Sequence, residues 1–576
     1  MKRLNIKLVI LLGLVMALPF SCKEDFLDIT PNGSLDANIL ATSDGVNTIL
    51  IGAYGMVDGV SSNGFGWESA SSNWVFGSIR GLEANKGSDS GDQPDINPIQ
   101  TFSEAATNPY LNIKWRSIYE GISRCNNALT VLKTAEERGT VTADEATSYR
   151  LQAQTLRGYY HLEAWRMWGG KIPYVTETTD LTTVNNTADV ADNIIADLQA
   201  GTALPNNMGQ IGRFNGTVAR VFLAKALMQL KKDYGKAKVE LQWVVDNGTA
   251  PDGSAIGLDP KYGDVFDAAN RNGIEAIYTV QYSVNDGSGG WNGGWGEVLN
   301  FPYKGNNGSP GGCCGFFQPS YDLVNSFKVD ASGLPLLDNS YTNDPLADDK
   351  GLTIDEPFTP DSRPVDPRLD WTVGRRGIPY LDWGPHTGAD WIRDQSYAGP
   401  YSPKKQVYKL SQQGVLTEVG NWTSGWTANG YRLIRYADVL LLLAECQIET
   451  NDLDGARTNI NLIRARAANP DGFVKNDDGS NAANYSIATY TSFPNADYAK
   501  KALQMERKLE LGMEGHRYFD LQRWGNVESE LNRVLSFEKS KLSVLYGSAT
   551  VGSEDVNYPV PQAQIDLTQG RIVQNR

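Results

Sequence analysis

The chain has 576 residues, of which 41% are hydrophobic, and this is enough to bury at least one large core. Its formal net charge is −15, so the basic surface that nucleic-acid binding requires is not expected, and the composition suits a neutral ligand. Five cysteines in so long a chain exclude a scaffold built on disulfides.

The first residues have the pattern of an export signal. Three basic residues among the first seven precede an apolar run from Leu8 to Leu18, which is too short to serve as a permanent membrane span. The run ends just before Cys22, and a small residue stands directly in front of that cysteine. We expect a lipoprotein signal peptide over 1–21, acylation of Cys22 and a lipidated polar tether over 22–32. Ordinary secretion with Cys22 as a plain thiol is the alternative.

Beyond the tether, apolar residues recur at helical spacing in segments that come mostly in pairs. The predicted helices run over Asp44 to Val57, Asn112 to Ala135, Asp144 to Trp168, Gly216 to Lys231, Tyr234 to Asn247, Tyr431 to Asn451, Leu453 to Ala467, Ala496 to Met513 and Gly515 to Trp524. Small residues such as Ala224 and Ala444 mark close contacts, as in tetratricopeptide repeats, where each pair buries its face against the next. We therefore predict a mostly α fold of tetratricopeptide-like helix pairs, in an N-terminal helical repeat region over 33–257 and a C-terminal one over 431–576.

The intervening segment, 258–430, has a different composition. Short β-prone runs, Ala276 to Tyr282 and Gln406 to Leu410, alternate with turns rich in Gly, Pro and Asn, and tryptophans are frequent. Binding residues concentrate on loops that a rigid scaffold carries. We predict that this segment is an irregular, loop-rich insertion with short strands that carries the ligand site.

Tryptophans in the Gly-, Ser- and Asn-rich loops are the candidate binding residues. A sugar ring has an apolar face of C–H groups that a flat indole matches, while its hydroxyls need polar partners at the rim. Trp67 and Trp74 precede short polar side chains that include Asp89, and only Asn, Gly and Gly separate Trp291 from Trp295. We predict that these five residues bind the ligand; core packing is the alternative for any single tryptophan.

Two adjacent cysteines, Cys313 and Cys314, lie in a Gly-rich loop of the same segment. In an oxidising compartment they form either a vicinal disulfide or two free thiols, and the sequence leaves both outcomes open. If oxidised, the pair offers a rigid apolar surface beside the tryptophans, so we include both residues in the predicted ligand site. No His or Cys partner lies at the spacing of a metal site. No cofactor is expected, although the acidic stretch from Asp338 to Asp349 is a candidate for structural calcium, with a solvated loop as the alternative.

The sequence gives no support for catalysis. Its three histidines are far apart, and no Gly-x-Ser-x-Gly motif occurs. The densest charge cluster, from Glu506 to Arg523, places carboxylates and cations three and four residues apart, so they can pair along helix faces. A glycosidase would use two such carboxylates, but here each acid has a nearby cation, and we predict structural ion pairs instead.

A further set of short segments runs in order along nearly the whole chain. The segments are Cys22-Lys23-Glu24-Asp25-Phe26-Leu27-Asp28, Arg157-Gly158-Tyr159-Tyr160, Trp168-Gly169-Gly170-Lys171-Ile172-Pro173-Tyr174, Asp366-Pro367-Arg368-Leu369, Tyr431-Arg432-Leu433-Ile434-Arg435-Tyr436-Ala437-Asp438, Asn461-Leu462-Ile463-Arg464-Ala465-Arg466-Ala467, Glu506-Arg507-Lys508-Leu509-Glu510, Glu514-Gly515-His516-Arg517-Tyr518-Phe519-Asp520-Leu521-Gln522-Arg523-Trp524, Tyr558-Pro559-Val560-Pro561 and Gln574-Asn575. Together they resemble the RagB/SusD family of nutrient-binding lipoproteins. The resemblance implies four repeat-like helix pairs with an irregular ligand-binding region, a lipid anchor in the outer membrane with exposure at the cell surface, and no enzymatic activity. It also implies a role as a lid on a SusC-like TonB-dependent transporter.

We therefore expect a cell-surface lipoprotein that captures a polysaccharide or oligosaccharide and delivers it to a SusC-like transporter. One alternative is an adaptor or lid of the transporter that binds protein or peptide and no glycan. Another is a surface glycoside hydrolase, which needs two unpaired carboxylates facing a cleft.

Overall fold

The computed structural model describes residues 37–60, 66–303, 308–420 and 422–575. The predicted signal peptide, Cys22 and the tether lie outside these residues. Within the described ranges, no helix combines the length and the apolar character needed to cross a membrane.

Helices make up most of the regular structure, which confirms the predicted fold class. The α-helices in chain order are α1 (Ala37–Leu40), α2 (Ser43–Gly55), α3 (Ile96–Gln100), α4 (Pro109–Glu137), α5 (Ala143–Trp168), α6 (Ala191–Gly201), α7 (Gly216–Ala226), α8 (Tyr234–Asn247), α9 (Tyr321–Ser326), α10 (Leu369–Thr372), α11 (Gln395–Ala398), α12 (Tyr436–Glu449), α13 (Leu453–Ala467), α14 (Ala496–Leu511), α15 (Arg517–Trp524), α16 (Val527–Lys541), α17 (Ser543–Tyr546) and α18 (Gln562–Leu567). Local chemistry explains their starts. At α5, for example, the Thr142 hydroxyl accepts from the Glu145 amide at 3.3 Å, and the Glu145 carboxylate accepts from the Thr142 amide at 3.0 Å.

The long helices pack as neighbouring pairs. Helix α4 packs on α5, α7 on α8, and α12 on α13, while α12 also contacts α8 and α14. The alanines at the predicted close contacts, among them Ala224 and Ala444, are fully buried. Gly121 of α4 lies against the ring of Tyr160, where a β-carbon would approach the ring to 2.7 Å, so small residues set how closely these helices approach.

In the part of the chain that the structure describes, eight short strands form four antiparallel pairs. They are β1 (Ala84–Gly87), β2 (Ala276–Thr279), β3 (Phe316–Pro319), β4 (Val373–Gly374), β5 (Ser402–Pro403), β6 (Thr417–Glu418), β7 (Trp426–Thr427) and β8 (Arg432–Arg435). Strand β1 pairs with β3, β2 with β8, β4 with β5, and β6 with β7. The first two pairs attach the loop-rich segment to the N-terminal region and to the start of α12.

Two local predictions are wrong. The helix predicted from Tyr431 begins at Tyr436, because residues 432–435 form β8 and pair with β2 in the register Thr279 to Arg432. The β-prone run from Gln406 to Leu410 forms no strand. Its side chains Val407 and Tyr408 are instead buried in a small core cluster, so burial and not strand pairing explains their apolar character.

A network of buried ion pairs joins the helices to the loop-rich segment. The Glu510 side chain at the end of α14 is fully buried and accepts hydrogen bonds from Arg368 at 2.9 Å, from Arg435 at 2.7 Å and from Arg466. Burial by itself would raise the pKa of Glu510, but the three guanidinium groups outweigh it and hold that pKa well below its usual range. The prediction that the carboxylates from Glu506 to Arg523 are held in structural ion pairs is thus confirmed, but most of their partners are not the neighbours that the spacing indicated. Asp520 pairs with Arg523 three residues on, at 2.8 Å, whereas Glu506, Glu510 and Glu514 pair with cations of other elements.

Removing the carboxylate at the centre of this network will strongly destabilise the fold. Glu510→Ala leaves three buried guanidinium groups without their shared partner, and we expect the free energy of unfolding to fall by about 3–5 kcal/mol in a chemical denaturation experiment. Arg150→Ala is the control, because Arg150 and Glu136 are both more than a third exposed, and its cost is at most about 1 kcal/mol. A loss for Glu510→Ala no larger than that of the control would contradict the structural role.

A buried carboxyl on α16 gives a pH-dependent prediction. Glu538 is fully buried, accepts from the Asp322 amide at 2.7 Å, and has its pKa raised by burial to about 8. It therefore stays protonated in the folded protein at neutral pH, whereas in the unfolded chain it ionises above about pH 4.5. Between the pKa of the unfolded chain and that of the folded protein, the contribution of Glu538 to the free energy of unfolding therefore falls by about 1.4 kcal/mol for each unit that the pH rises.

The side chain of Glu538→Gln cannot ionise, so the free energy of unfolding of this variant will not fall with rising pH on account of residue 538. We expect wild type to lose stability relative to Glu538→Gln as urea unfolding is repeated at pH 5.5, 6.5 and 7.5. Parallel pH dependences of the two proteins would show that Glu538 is not held protonated.

Candidate ligand-binding face

Five tryptophans from three separate segments form one cluster, which we call the tryptophan cluster: Trp67, Trp291, Trp295, Trp422 and Trp426. Trp295 lies at its centre. Its ring is stacked on Trp291, with centroids 4.8 Å apart and an interplanar angle of 22°, and on Trp67 at 6.3 Å and 30°. Trp426 contacts Trp295 at 5.5 Å, and Trp422 meets the Trp426 ring edge to face at 5.8 Å.

The cluster has an exposed top and a buried base. Trp291 is 66% exposed and Trp422 is 43% exposed, whereas Trp67, Trp295 and Trp426 are each at most 9% exposed. A large exposed indole leaves apolar surface in water, and a group of such side chains marks a binding surface. The buried indoles hold the exposed ones in place from beneath.

Turn chemistry brings the segments together. The connection between β6 and β7 carries Trp422, and the Gly294 amide donates to the Thr427 carbonyl of β7 at 3.0 Å, which ties the Trp295 segment to this hairpin. Gly290 has a φ of +85°, and a β-carbon there would lie 2.7 Å from the Trp426 ring. Only glycine fits both requirements.

Beside the hairpin lies a Gly-rich segment, 308–315, which we call the disulfide loop. Cys313 and Cys314 form a vicinal disulfide across a cis peptide bond, so the structure has the first of the two outcomes that the sequence left open. The Gly311 carbonyl accepts from the Ser424 amide at 3.0 Å and from the Thr423 hydroxyl at 3.1 Å. The disulfide loop is therefore joined to the segment that directly follows Trp422.

The other end of the disulfide loop adjoins a charged rim formed by Asp89, Asp92 and Arg393. The Gly315 carbonyl accepts from the Ser88 amide at 2.6 Å, next to Asp89. Arg393 binds Asp89 at 2.8 Å and Asp92 at 2.6 Å, and its guanidinium lies 5.4 Å from the centroid of the Tyr303 ring. We refer to the tryptophan cluster, the disulfide loop, the charged rim and Tyr303 together as the candidate face.

The predicted site residues have different positions in the structure. Trp291 is exposed on the candidate face, whereas Trp67 and Trp295 belong to its buried base, so they support the exposed indoles and do not form the accessible surface. The prediction of an accessible stacking surface at Trp74 is corrected: this side chain is 1% exposed and packs on Phe317 with ring centroids 5.7 Å apart. Asp89 lies in the charged rim, and Cys313 and Cys314 lie in the disulfide loop between the rim and the tryptophans.

Sequence reasoning missed Trp422, Trp426 and Arg393 as site residues. A signal for the first two was present, because Trp422 and Trp426 are four residues apart in a Gly-containing loop, as Trp291 and Trp295 are. Arg393 had no comparable signal, since its partners Asp89 and Asp92 lie about three hundred residues earlier in the chain.

No histidine belongs to the candidate face. Burial lowers the pKa of His161 and His386 to about 3 and that of His516 to about 4, so none of the three titrates near neutral pH. Within the described ranges, no group of three or more His, Cys, Asp or Glu side chains is placed to hold a metal ion. In the acidic stretch, the Asp338 carboxylate accepts from the Ser340 amide at 3.0 Å, and calcium binding there stays a prediction.

Two family models match the chain. The SusD family matches residues 274–576, and a family described as starch-binding and associating with the outer membrane matches residues 25–228. No curated protein matches the chain.

Several solved structures share the fold. A SusD superfamily protein from Bacteroides vulgatus is 18% identical, with 93% of this chain and 98% of that chain covered and a TM-score of 0.64. Surface glycan-binding protein A from Bacteroides uniformis is 20% identical, with coverages of 93% and 99% and a TM-score of 0.65. The same-named protein from Bacteroides thetaiotaomicron, in complex with laminarihexaose, is 19% identical, with coverages of 93% and 99% and a TM-score of 0.63.

These likenesses agree with the architecture of helix pairs and a loop-rich segment described above. At identities near 20% these structures establish the fold. The ligand of this chain has to be inferred from its own candidate face. Because the SusD family model covers more than half of the sequence, the resemblance found in the sequence is confirmed, and the chain belongs to the SusD family.

Proposed function

We propose that this protein is a cell-surface lipoprotein that captures a polysaccharide or oligosaccharide and delivers it to a SusC-like TonB-dependent transporter. The observation that carries the proposal is the pair of exposed indoles, Trp291 and Trp422, held on a base of buried tryptophans. Family membership and the glycan-binding relatives named above support the same class of ligand.

The support beneath the exposed indoles favours binding. Trp291 is already stacked on Trp295, and Trp422 already rests against Trp426, so each ring keeps its orientation before any ligand arrives. A preorganised side chain loses little conformational entropy when it is covered. The free face of each indole can then stack on the apolar C–H face of a sugar ring.

Polar groups surround the two indoles, as sugar hydroxyls require. Asn292 and Asp286 are exposed next to Trp291, and the Asn292 amide donates to the Asp286 carboxylate at 2.8 Å. Near Trp422, the Gln413 amide donates to the Ser424 hydroxyl at 3.3 Å. These side chains can form hydrogen bonds with the hydroxyls of a bound sugar. Without such partners, the hydroxyls would lose their bonds to water and binding would be unfavourable.

The charges of the candidate face favour a neutral glycan. Of the residues that define this face, Arg393 is the one cation, and it is already bound to both Asp89 and Asp92. A uronate or sulfated glycan would therefore meet a neutralised cation and nearby carboxylates on a chain of net charge −15.

The same arrangement argues for binding without hydrolysis. Glycoside hydrolysis needs one carboxyl group as proton donor beside a second, ionised one. Asp89 and Asp92 share Arg393, and the carboxylates of the Glu510 network are buried among arginines. Hydrogen bonds from Asn292 and Ser288 hold the pKa of Asp286, beside Trp291, below its usual range, so this carboxylate is no proton donor either. We therefore assign the protein a binding role.

Binding will depend on the exposed indoles. We expect the mature protein without its acylated cysteine, from Lys23 onward, to bind one class within a panel of plant, microbial and host polysaccharides in affinity electrophoresis and calorimetry. Trp291→Ala and Trp422→Ala will each lower the affinity by about tenfold, or about 1.4 kcal/mol, because each removes a stacking surface. Trp243→Ala is the control, since this half-buried indole lies on α8 under Arg220 and will leave the affinity unchanged.

Other outcomes of this screen decide between the alternatives. Absence of binding to every glycan, together with copurification of the transporter, would support the adaptor or lid that binds protein or peptide. Release of shortened products from a bound glycan would support the hydrolase.

The lipid anchor is tested separately. We expect Cys22→Ser to abolish incorporation of labelled fatty acid and to move the protein from the outer-membrane fraction to the soluble fraction, because the acyl chains supply the membrane affinity. Cys125→Ser, a change at a buried cysteine of α4, is the control and will leave both unchanged. Retention of Cys22→Ser in the membrane fraction would contradict acylation as the anchor.

A further inference from the structure

The disulfide loop occupies a place in the candidate face that glycan stacking by tryptophan does not explain. The disulfide closes a ring between two adjacent residues. The stabilisation that a disulfide gives a fold grows with the length of chain that it closes. A disulfide between adjacent residues therefore contributes little to global stability. Its effect is local, on the conformation of residues 308–315.

That local effect reaches both halves of the candidate face. At one end, the Gly311 carbonyl holds the Ser424 amide, two residues after Trp422, and at the other the Gly315 carbonyl holds the Ser88 amide beside the charged rim. Between these two contacts the loop is rich in glycine at positive φ, which is the chain composition that loses most entropy on ordering. The covalent link between Cys313 and Cys314 offsets part of that cost.

The disulfide is also accessible to chemistry. Cys313 is partly exposed, whereas Cys314 is 7% exposed. Cys125 and Cys446 are fully buried, and burial raises the pKa of each thiol well above its usual range. An external thiol in solution therefore meets the Cys313 sulfur before any other of the described cysteines.

We propose that the Cys313–Cys314 disulfide is a thiol–disulfide exchange site, and that its reduction by low-molecular-weight thiols weakens glycan binding at the candidate face. This regulation rests on the proposed function. The oxidised loop keeps Ser424 and Ser88 in place, and the reduced loop releases both.

The exchange balances with two molecules of thiol. The first thiolate attacks the Sγ of Cys313, the S–S bond breaks, and its electron pair leaves on the Sγ of Cys314, which takes up a proton. A second thiolate then attacks the external sulfur of the mixed disulfide. The Sγ of Cys313 leaves as a thiolate and is protonated, so the protein gains two electrons and two protons while two external thiols become one disulfide.

The first test needs no glycan. Amide hydrogen exchange of the full mature protein is compared with and without dithiothreitol, and alkylation followed by mass spectrometry counts the thiols formed. We expect exchange at the Ser424 and Ser88 amides to increase by about tenfold on reduction and to return on reoxidation. The Gly294 amide, which donates to the Thr427 carbonyl beside the tryptophan cluster, is the internal control.

The second test measures affinity for the polysaccharide that binds best in the panel above. We expect reduction to lower this affinity by at least about threefold, reversibly. The double variant Cys313→Ser/Cys314→Ser will bind as weakly as the reduced wild type and will not respond to dithiothreitol. Unchanged far-ultraviolet circular dichroism will show that the double variant is folded. The comparison of oxidised with reduced wild type tests the same point without any substitution.

The outcomes separate this inference from the proposed function. Failure of dithiothreitol to generate the two thiols would overturn the exchange site. New thiols without a change in affinity would overturn the regulation and leave glycan binding in place. Absence of binding by the oxidised protein would overturn the proposed function and the regulation with it.

Discussion

The buried carboxylate of Glu510 is the constraint on which the arrangement of the molecule depends. A charge removed from water is tolerated only when it is paired and hydrogen-bonded, and Glu510 meets this condition through Arg368, Arg435 and Arg466. The four residues come from α14, from the segment before α10, from β8 and from α13. Arg368 and Glu510 are 142 residues apart, so one carboxylate fixes the loop-rich segment on the helical scaffold.

The candidate face depends on this attachment. Strand β8 contains Arg435 and pairs with β2, and the chain leaving β2 soon reaches Trp291 and Trp295. Pairing of β1 with β3 places the charged rim beside the disulfide loop in the same way. The helical pairs thus contribute rigidity, while the connections between strands contribute the surface that meets a ligand.

The candidate face has a buried layer of tryptophans beneath an exposed one. Trp67, Trp295 and Trp426 fill the base and orient the two exposed indoles, and Arg393 pairs with both carboxylates of the charged rim, which keeps a net negative charge. The result is an exposed apolar surface with polar neighbours and no free cation among its defining residues. Such a surface suits a neutral ligand with one apolar face, and the disulfide loop connects its two halves.

Local sequence determined much of the fold. Periodicity and capping, as at Thr142 of α5, act over a few residues, so most of the long helices were predictable, although α6 and α16 were not predicted. The density of charge from Glu506 to Arg523 correctly indicated ion pairs, but the spacing did not identify the partners, because Arg507 pairs with Asp520 on the next helix. Tertiary structure alone decided which tryptophans are accessible. Trp74 is buried by contacts such as its bond to Gly296, 222 residues away, whereas Trp291 remains exposed. Exposure depends on contacts between distant segments, which local sequence patterns do not show. For the same reason the first residues of the helix predicted from Tyr431 form β8 instead, because they pair with β2, which lies far away in the sequence.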